Sequence, residues 1–250
     1  MPFRFLISLL IAGTLLLTGC ASPGFDRTPD AVDVLEAGIS PALPDEFREE
    51  VRTCLNAGEG RPFHLQTIDS PNAVPDELDI LFWWGDPALF PDISGGEYSR
   101  YFLTTLELKV LANPQNDLST LTIRQLRDIF SGRISSWAAL PESQLSSAIA
   151  VYTYPTAHPL QTAFQREVME NQTITNNALM APSYQALVDA VQARPEAIGF
   201  GLPFSIPPEG IQVISVIDQE LSFTHPVLAV VPDSPSPDVL LIVSCLQGRL

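Results

Sequence analysis

Short apolar runs alternate with segments of helical periodicity along most of the chain, which favours an α/β fold over an all-α or all-β one. "VDVLEA" (32–37) reads as a strand and "GISPALP" as a turn. In "DEFREEVRTCLNA", Phe47, Val51, Cys54 and Leu55 recur at helical spacing, predicting a helix over 45–56 that stops near Gly58. "FHLQTID" and "LDILFWW" are strands, and "YFLTTLELKVLANP" (101–114) alternates through a long one, long enough to cross between two lobes. "LTIRQLRDIFSGRISSW" then opens a helix with Thr122 as N-cap and Gln125 at its third position, a capping box. Leu121 and Leu126 form a hydrophobic staple, Leu126, Ile129 and Phe130 a buried face, and Gly132 stops the helix. Further on come a strand ("AIAVYTYP"), a helix ("PLQTAFQREVME") and a second helix capped by Ser183 and stopped by Pro195. "AIGFG", "IQVISVI" and "LSFTHPVLAVVP" are strands. The last helix starts at Ser236 with Pro237 in its first position.

The first residues stand apart from this pattern. "MPFRFLISLLIAGTLLLTGC" has one early charge, Arg4, and an apolar run from Phe5 to Leu17 that is short for a spanning helix and fits a signal-peptide core. "LTGC" resembles the lipobox of bacterial lipoproteins, in which the Cys becomes the first mature residue and carries lipid. The resemblance implies a signal peptide over 1–19, lipidation of Cys20, and a tether over 20–31 that anchors the body outside the cytoplasm. The alternative is an uncleaved anchor or an ordinary secretory signal with an incidental Cys.

The formal net charge is −16, and loss of Arg4 with the leader makes it one unit more negative. An anionic surface of this kind argues against nucleic acid as a partner. It also repels anionic lipid, so membrane attachment rests on the acyl anchor. Outside the cytoplasm, Cys54 and Cys245 have two readings that stay open, a disulfide or two buried thiols. His64, His158 and His225 sit in separate elements without ligand spacing, so no metal site or cofactor is predicted. No nucleophile elbow or phosphate loop of the Walker type is present, and no enzyme is predicted.

"LANPQNDLSTLTIRQLRDIFSGRISSWAAL" resembles the central segment of the phosphate-binding-protein-like solute receptors of ABC transporters, where a strand ends in Asn-Pro, a Leu-Thr cap opens a helix ending in Ile-Phe-x-Gly, and a Trp follows. "QALVDAVQARPEAIGFG" resembles a later segment of the same family, with Glu196 and Phe200 in place of its Gly and Tyr. "VLEAGISPALPDEF" is a weaker match to the family's first strand and ligand loop. The resemblance implies a periplasmic-binding-protein type II fold, two α/β lobes around a ligand cleft, with lobe 1 over 32–110 plus 218–250 and lobe 2 over 111–217. Ile129 and Trp137 would then be packing residues, and Arg124, Arg127 and Arg133 mostly solvated helix-face charges.

In such a fold, helix N-termini offer free N–H groups and a positive dipole end to a small anion. Three loops would line the cleft. The first, 38–42, has Ser40 as its only hydroxyl. The second, 83–87, offers Asp86, which is also a natural turn residue before Pro87, and one of two tryptophans. Trp83 and Trp84 face opposite sides of a strand, so only one can reach the cleft, and Trp84 is the preferred candidate. The third, 154–162, offers Tyr154, Thr156, His158 and Gln161. Here the family's Arg and Ser-Gly-Thr are replaced by His158, Pro159 and Leu160, with no Arg nearby. Pro159 has no N–H, and a dehydrated phosphate needs nearly every oxygen satisfied, so phosphate is a poor match. The resemblance therefore implies a lipid-anchored binding protein that holds a small anionic solute, such as an oxyanion or organic anion, and presents it to an ABC permease. The alternative is a degenerate relative acting as a ligand sensor or envelope adaptor without transport.

Overall fold

In the computed structural model, residues 33–57, 61–69, 78–85, 98–204, 207–217 and 223–250 are described. The leader, Cys20, the tether and Asp86 lie outside them. Asp33–Leu250 form one compact unit.

The first sheet is built from β1 (Leu35–Ile39), β2 (Phe63–Thr67), β3 (Ile80–Trp84), β4 (Tyr98–Glu107) and β11 (Thr224–Pro232), in the order β2-β1-β3-β11-β4. β1 runs parallel to both neighbours, and β11 runs antiparallel to β3 and β4. β1 is therefore flanked by the strands that follow it on either side, and the loop at its C-terminal end lies where ligands bind in open α/β sheets. α1 (Asp45–Ala57) leaves that loop with Phe47, Val51, Cys54 and Leu55 buried, the face predicted by periodicity. Asp45 and Glu46 in its first turn complement the helix dipole. α5 (Pro237–Gln247) is capped by the Ser236 side chain, which accepts from the Val239 amide. Cys54 and Cys245 form a disulfide between α1 and α5, with Cα atoms 5.8 Å apart across a separation of 191 residues.

The second sheet has the order β6-β10-β5-β9-β7-β8, from β5 (Lys109–Ala112), β6 (Thr120–Thr122), β7 (Ala150–Thr153), β8 (Leu179–Met180), β9 (Ala197–Gly201) and β10 (Gln212–Ile217). α2 (Ile123–Phe130), α3 (Pro159–Glu167) and α4 (Tyr184–Gln192) belong to it. The capping box is complete: Thr122 Oγ1 accepts from the Gln125 amide, and Gln125 Oε1 accepts from the Thr122 amide at 2.8 Å. Gly132 follows α2 with φ +81°, a conformation open to glycine. Ile129 and Trp137 are fully buried, and the Trp137 indole donates to the Glu196 carbonyl. Arg124 is 91 % exposed and Arg133 is half exposed, as expected of helix-face charges. Arg127 departs from that expectation. It is 18 % exposed, donates to the Val168 carbonyl and pairs with Glu170, so it ties α2 to the turn after α3.

The long alternating run predicted over 101–114 is two strands in different sheets. β4 ends at Glu107, Leu108 crosses, and β5 begins at Lys109. The chain returns between β10 and β11, where the Leu108 amide donates to the Phe223 carbonyl. Beyond these crossings the two halves meet closely. Their buried residues form one continuous apolar cluster, and His225 on β11 meets Glu167 on α3 at 2.9 Å. The wide gap implied by the resemblance is reduced to a cavity.

Candidate functional site

Two of the three anticipated loops, 38–42 and 154–162, meet at one cavity, but their hydrogen-bonding groups are mostly spent on the protein itself. After β1, the Ser40 amide donates to the Phe82 carbonyl, Ser40 Oγ accepts from the Ala42 amide, and the Leu43 amide returns to the Ser40 carbonyl. Ser40 is wholly buried. Trp84, expected to present a flat face to a cleft, instead lies in the core. Its indole donates to the Leu106 carbonyl at 3.2 Å and its edge contacts His225. The reason is that β3 is a central strand covered on both faces, so both tryptophans are buried, with Trp83 in a smaller cluster opposite.

The third loop shows why the family's anion grip is missing. His158 is the N-cap of α3, and its Nδ1 accepts from the Leu160 amide at 3.3 Å. Pro159 contributes no amide, so the imidazole fills the place an anion would take at this helix end. The Tyr154 ring stacks on His158 at 4.4 Å, and its hydroxyl donates to the Phe200 carbonyl at 2.9 Å. Burial raises the Tyr154 hydroxyl pKa well above its usual value, with Tyr184 adding to the effect. Gln161 Oε1 accepts from the Tyr154 amide, and Thr156 is exposed. Tyr154 and Gln161 therefore brace the loop, and among the described residues His158 is the anticipated side chain that lines the cavity between the halves.

That space is a cavity of about 340 Å³ between the two halves. Pro41, Arg48, Thr67 and Asp69 line it from the first sheet's side, and His158 and Tyr184 from the second's. Arg48 is held in place: Nη2 donates to the Ser40 carbonyl at 2.9 Å, Nε to the Leu43 carbonyl, and Nη1 to Thr67 Oγ1. Its side chain is 15 % exposed and its nearest carboxylate, Asp45, lies at 3.8 Å without a two-pronged contact. Burial lowers the Arg48 pKa from its ordinary value; Asp45 opposes this and Arg52 adds to it. A guanidinium pinned by neutral acceptors still has donors to give.

Two buried polar atoms at this cavity have no hydrogen-bond partner among the described residues, His158 Nε2 and the Tyr184 hydroxyl. Each residue is 7 % exposed. Burial pushes the His158 pKa down to about 4; the Pro41 carbonyl opposes this and the Arg48 charge reinforces it. The ring is neutral, and because Nδ1 accepts, the proton sits on Nε2, which is drawn toward the Pro41 carbonyl but makes no well-formed hydrogen bond with it. Burial, and secondarily Glu46, raises the Tyr184 pKa, keeping its hydroxyl protonated. Ser183 caps α4 through the Ala186 amide, leaving the Tyr184 and Gln185 amides without acceptors among the described residues. Buried donors without acceptors cost about 1–3 kcal/mol each, so this floor is incomplete as it stands.

Arg48 and Tyr184 are the residues sequence reasoning missed. A signal existed for the first: two arginines one turn apart, Arg48 and Arg52, near a helix N-terminus where the dipole disfavours cations. Nothing local marks Tyr184, which reaches the cavity only because Gly201 makes room. A Cβ there would lie 2.4 Å from the Tyr184 ring.

Residues 107–202 match a family profile described as a PBP superfamily domain. A putative phosphate ABC transporter substrate-binding protein from Clostridium perfringens, solved with bound phosphate, superposes with a TM-score of 0.71 at 17 % identity, over 86 % of this chain and 93 % of that one. An ABC-type phosphate transport receptor from Vibrio cholerae gives 0.62 at 15 %, over 85 % and 93 %. The CcmR regulatory domain from Synechocystis, solved in complex with 2-PG, also gives 0.62, at 11 % identity over 86 % and 96 %. The chain thus has the phosphate-binding-protein-like form of the two-lobed, type II periplasmic-binding-protein fold. Among the described residues no helix is long and apolar enough to cross a membrane.

Proposed function

We propose that the protein is an extracytoplasmic solute-binding lipoprotein, anchored through Cys20, that holds a small solute between two lobes and presents it to an ABC permease. The lobes are 32–110 with 218–250, and 111–217. The single observation that carries the binding role is the cavity lined from both halves, with two buried, unpaired donors at its floor. In this reading the continuous core is the closed form, and ligand reaches His158 and Tyr184 as the halves part. The anchor rests on the apolar leader ending in "LTGC".

A differential scanning measurement against oxyanions, carboxylates, amino acids and sugars tests the binding role. A ligand at a hundred times its dissociation constant adds about 2.7 kcal/mol, a rise of roughly 5–10 °C for a body of this size. A flat response to every solute refutes it and favours the second reading, an adaptor or sensor without transport. The observation favouring that reading is the α3 N-terminus closed by its own His158, together with the core continuous across both halves.

A further inference from the structure

The charges around the cavity balance. Arg48 and Arg52 stand against Asp45 and Asp69, so a dianion would find no net positive surroundings. The groups are also segregated by depth. Among the buried groups are donors with capacity to spare: Nε2–H of His158, which makes no well-formed bond to the Pro41 carbonyl, the Tyr184 hydroxyl, and the remaining N–H groups of Arg48, which is fixed by three acceptors. The α4 amides of Tyr184 and Gln185 lie at the same side. Such a floor asks for a carboxylate, whose two oxygens accept several donors at once. At the rim are the exposed carboxylates of Asp45 and Asp69, and Asp69 makes no ion pair among the described residues. Such a rim asks for a cation. We infer that the ligand is a small zwitterion of amino-acid type, its carboxylate on Arg48, His158 and Tyr184 and its ammonium toward Asp69 and Asp45.

This rests on the solute-binding reading and moves recognition from the α3 N-terminus, where His158 has taken the anion's place, to the space between α1 and α4. A cavity of about 340 Å³ holds an amino acid with a modest side chain. Phosphate would meet an Arg48 guanidinium with three of its five N–H groups already engaged, and donors too few for its oxygens.

Isothermal titration calorimetry of the intact mature protein tests it, using the twenty L-amino acids, the deaminated acid and decarboxylated amine of the tightest binder, and inorganic phosphate. The expected result is one or more amino acids bound at least tenfold more tightly than either single-charge analogue, with no heat from phosphate. Arg48→Met should weaken the amino acid by roughly tenfold or more, as loss of one partner of a desolvated charge pair does. Asp69→Asn, at an exposed position, should weaken the amino acid by roughly two- to fivefold and leave the deaminated acid unchanged. Tighter binding of phosphate, or equal binding of the deaminated acid, overturns the zwitterion while leaving a solute receptor. Amino-acid binding unchanged in both variants overturns the site. No heat from any of these probes overturns the zwitterion, and the broader thermal screen then decides the receptor reading separately.

Discussion

His158 couples the cavity to the stability of α3, and acid is the perturbation that exposes the coupling. Its Nδ1 accepts from the Leu160 amide, so protonation would turn a hydrogen bond into two donors facing each other. It would also place a positive charge at a helix N-terminus and near Arg48. Burial is the largest of the effects that hold the folded pKa at about 4, against 6.5 for the free side chain. The unfolded chain therefore binds the proton first as pH falls. Stability declines from about pH 6.5 to about pH 4 and levels off below, where both states are protonated. A shift of this size corresponds to roughly 3 kcal/mol, or about 6–12 °C in melting temperature. Calorimetric unfolding from pH 7 to pH 4 measures it, with His158→Asn as the control, since Asn caps a helix well and does not titrate. The wild type should lose that increment over the window and the variant should not. Parallel curves for the two proteins would show that the imidazole is neither buried nor capping in the way described.

Other outcomes follow from contacts elsewhere. Burial pulls the Glu167 pKa up, but hydrogen bonds from His225 and Arg166 outweigh it and set the carboxyl below its ordinary 4.5. Its contribution is therefore present at neutral pH and fades as pH falls below 4.5; Glu167→Gln should cost about 1–3 kcal/mol at pH 7 and flatten that lower limb in a urea titration. Reducing the Cys54–Cys245 disulfide, which closes a separation of 191 residues, should lower stability by roughly 2–5 kcal/mol. Calorimetry with and without reductant reads this. Gly201→Ala drives a Cβ into the Tyr184 ring and should cost about 1–3 kcal/mol by overpacking, with weaker binding of any solute that stabilises the wild type. Cys20→Ala should release the protein from the membrane fraction into the soluble one.

The local grammar of the chain was readable in advance. The Thr122–Gln125 box, the Ser183 and Ser236 caps, the buried face of α1 and the glycine after α2 all depend on neighbours within a turn or two, and each is where the pattern places it. The run over 101–114 passes from one sheet to the other, but its break at Leu108 was not legible, because strand alternation continues smoothly there while the hydrogen-bonding partners change from β11 to β9 and β10. Trp84 misled because alternation separates two faces but does not say that both are covered. The site was the least legible part. His158 could be named as unusual from its neighbours, yet the cavity it shares with Arg48 and Tyr184 depends on helices more than a hundred residues apart. A cysteine pair could be counted, but its distance could not.

The placing of β11 has a consequence for how the protein is made. Among the described residues β4 pairs only with β11, and β3 has β11 as one of its two neighbours, so the first sheet cannot be completed until Thr224–Pro232 has been synthesised. The second sheet, drawn from 109–217 without interruption, can assemble earlier. Until then the first sheet has an open edge, and Cys245, the disulfide partner of Cys54, comes later still. A nonsense change anywhere before Thr224 would thus ruin the part of the molecule that was translated first.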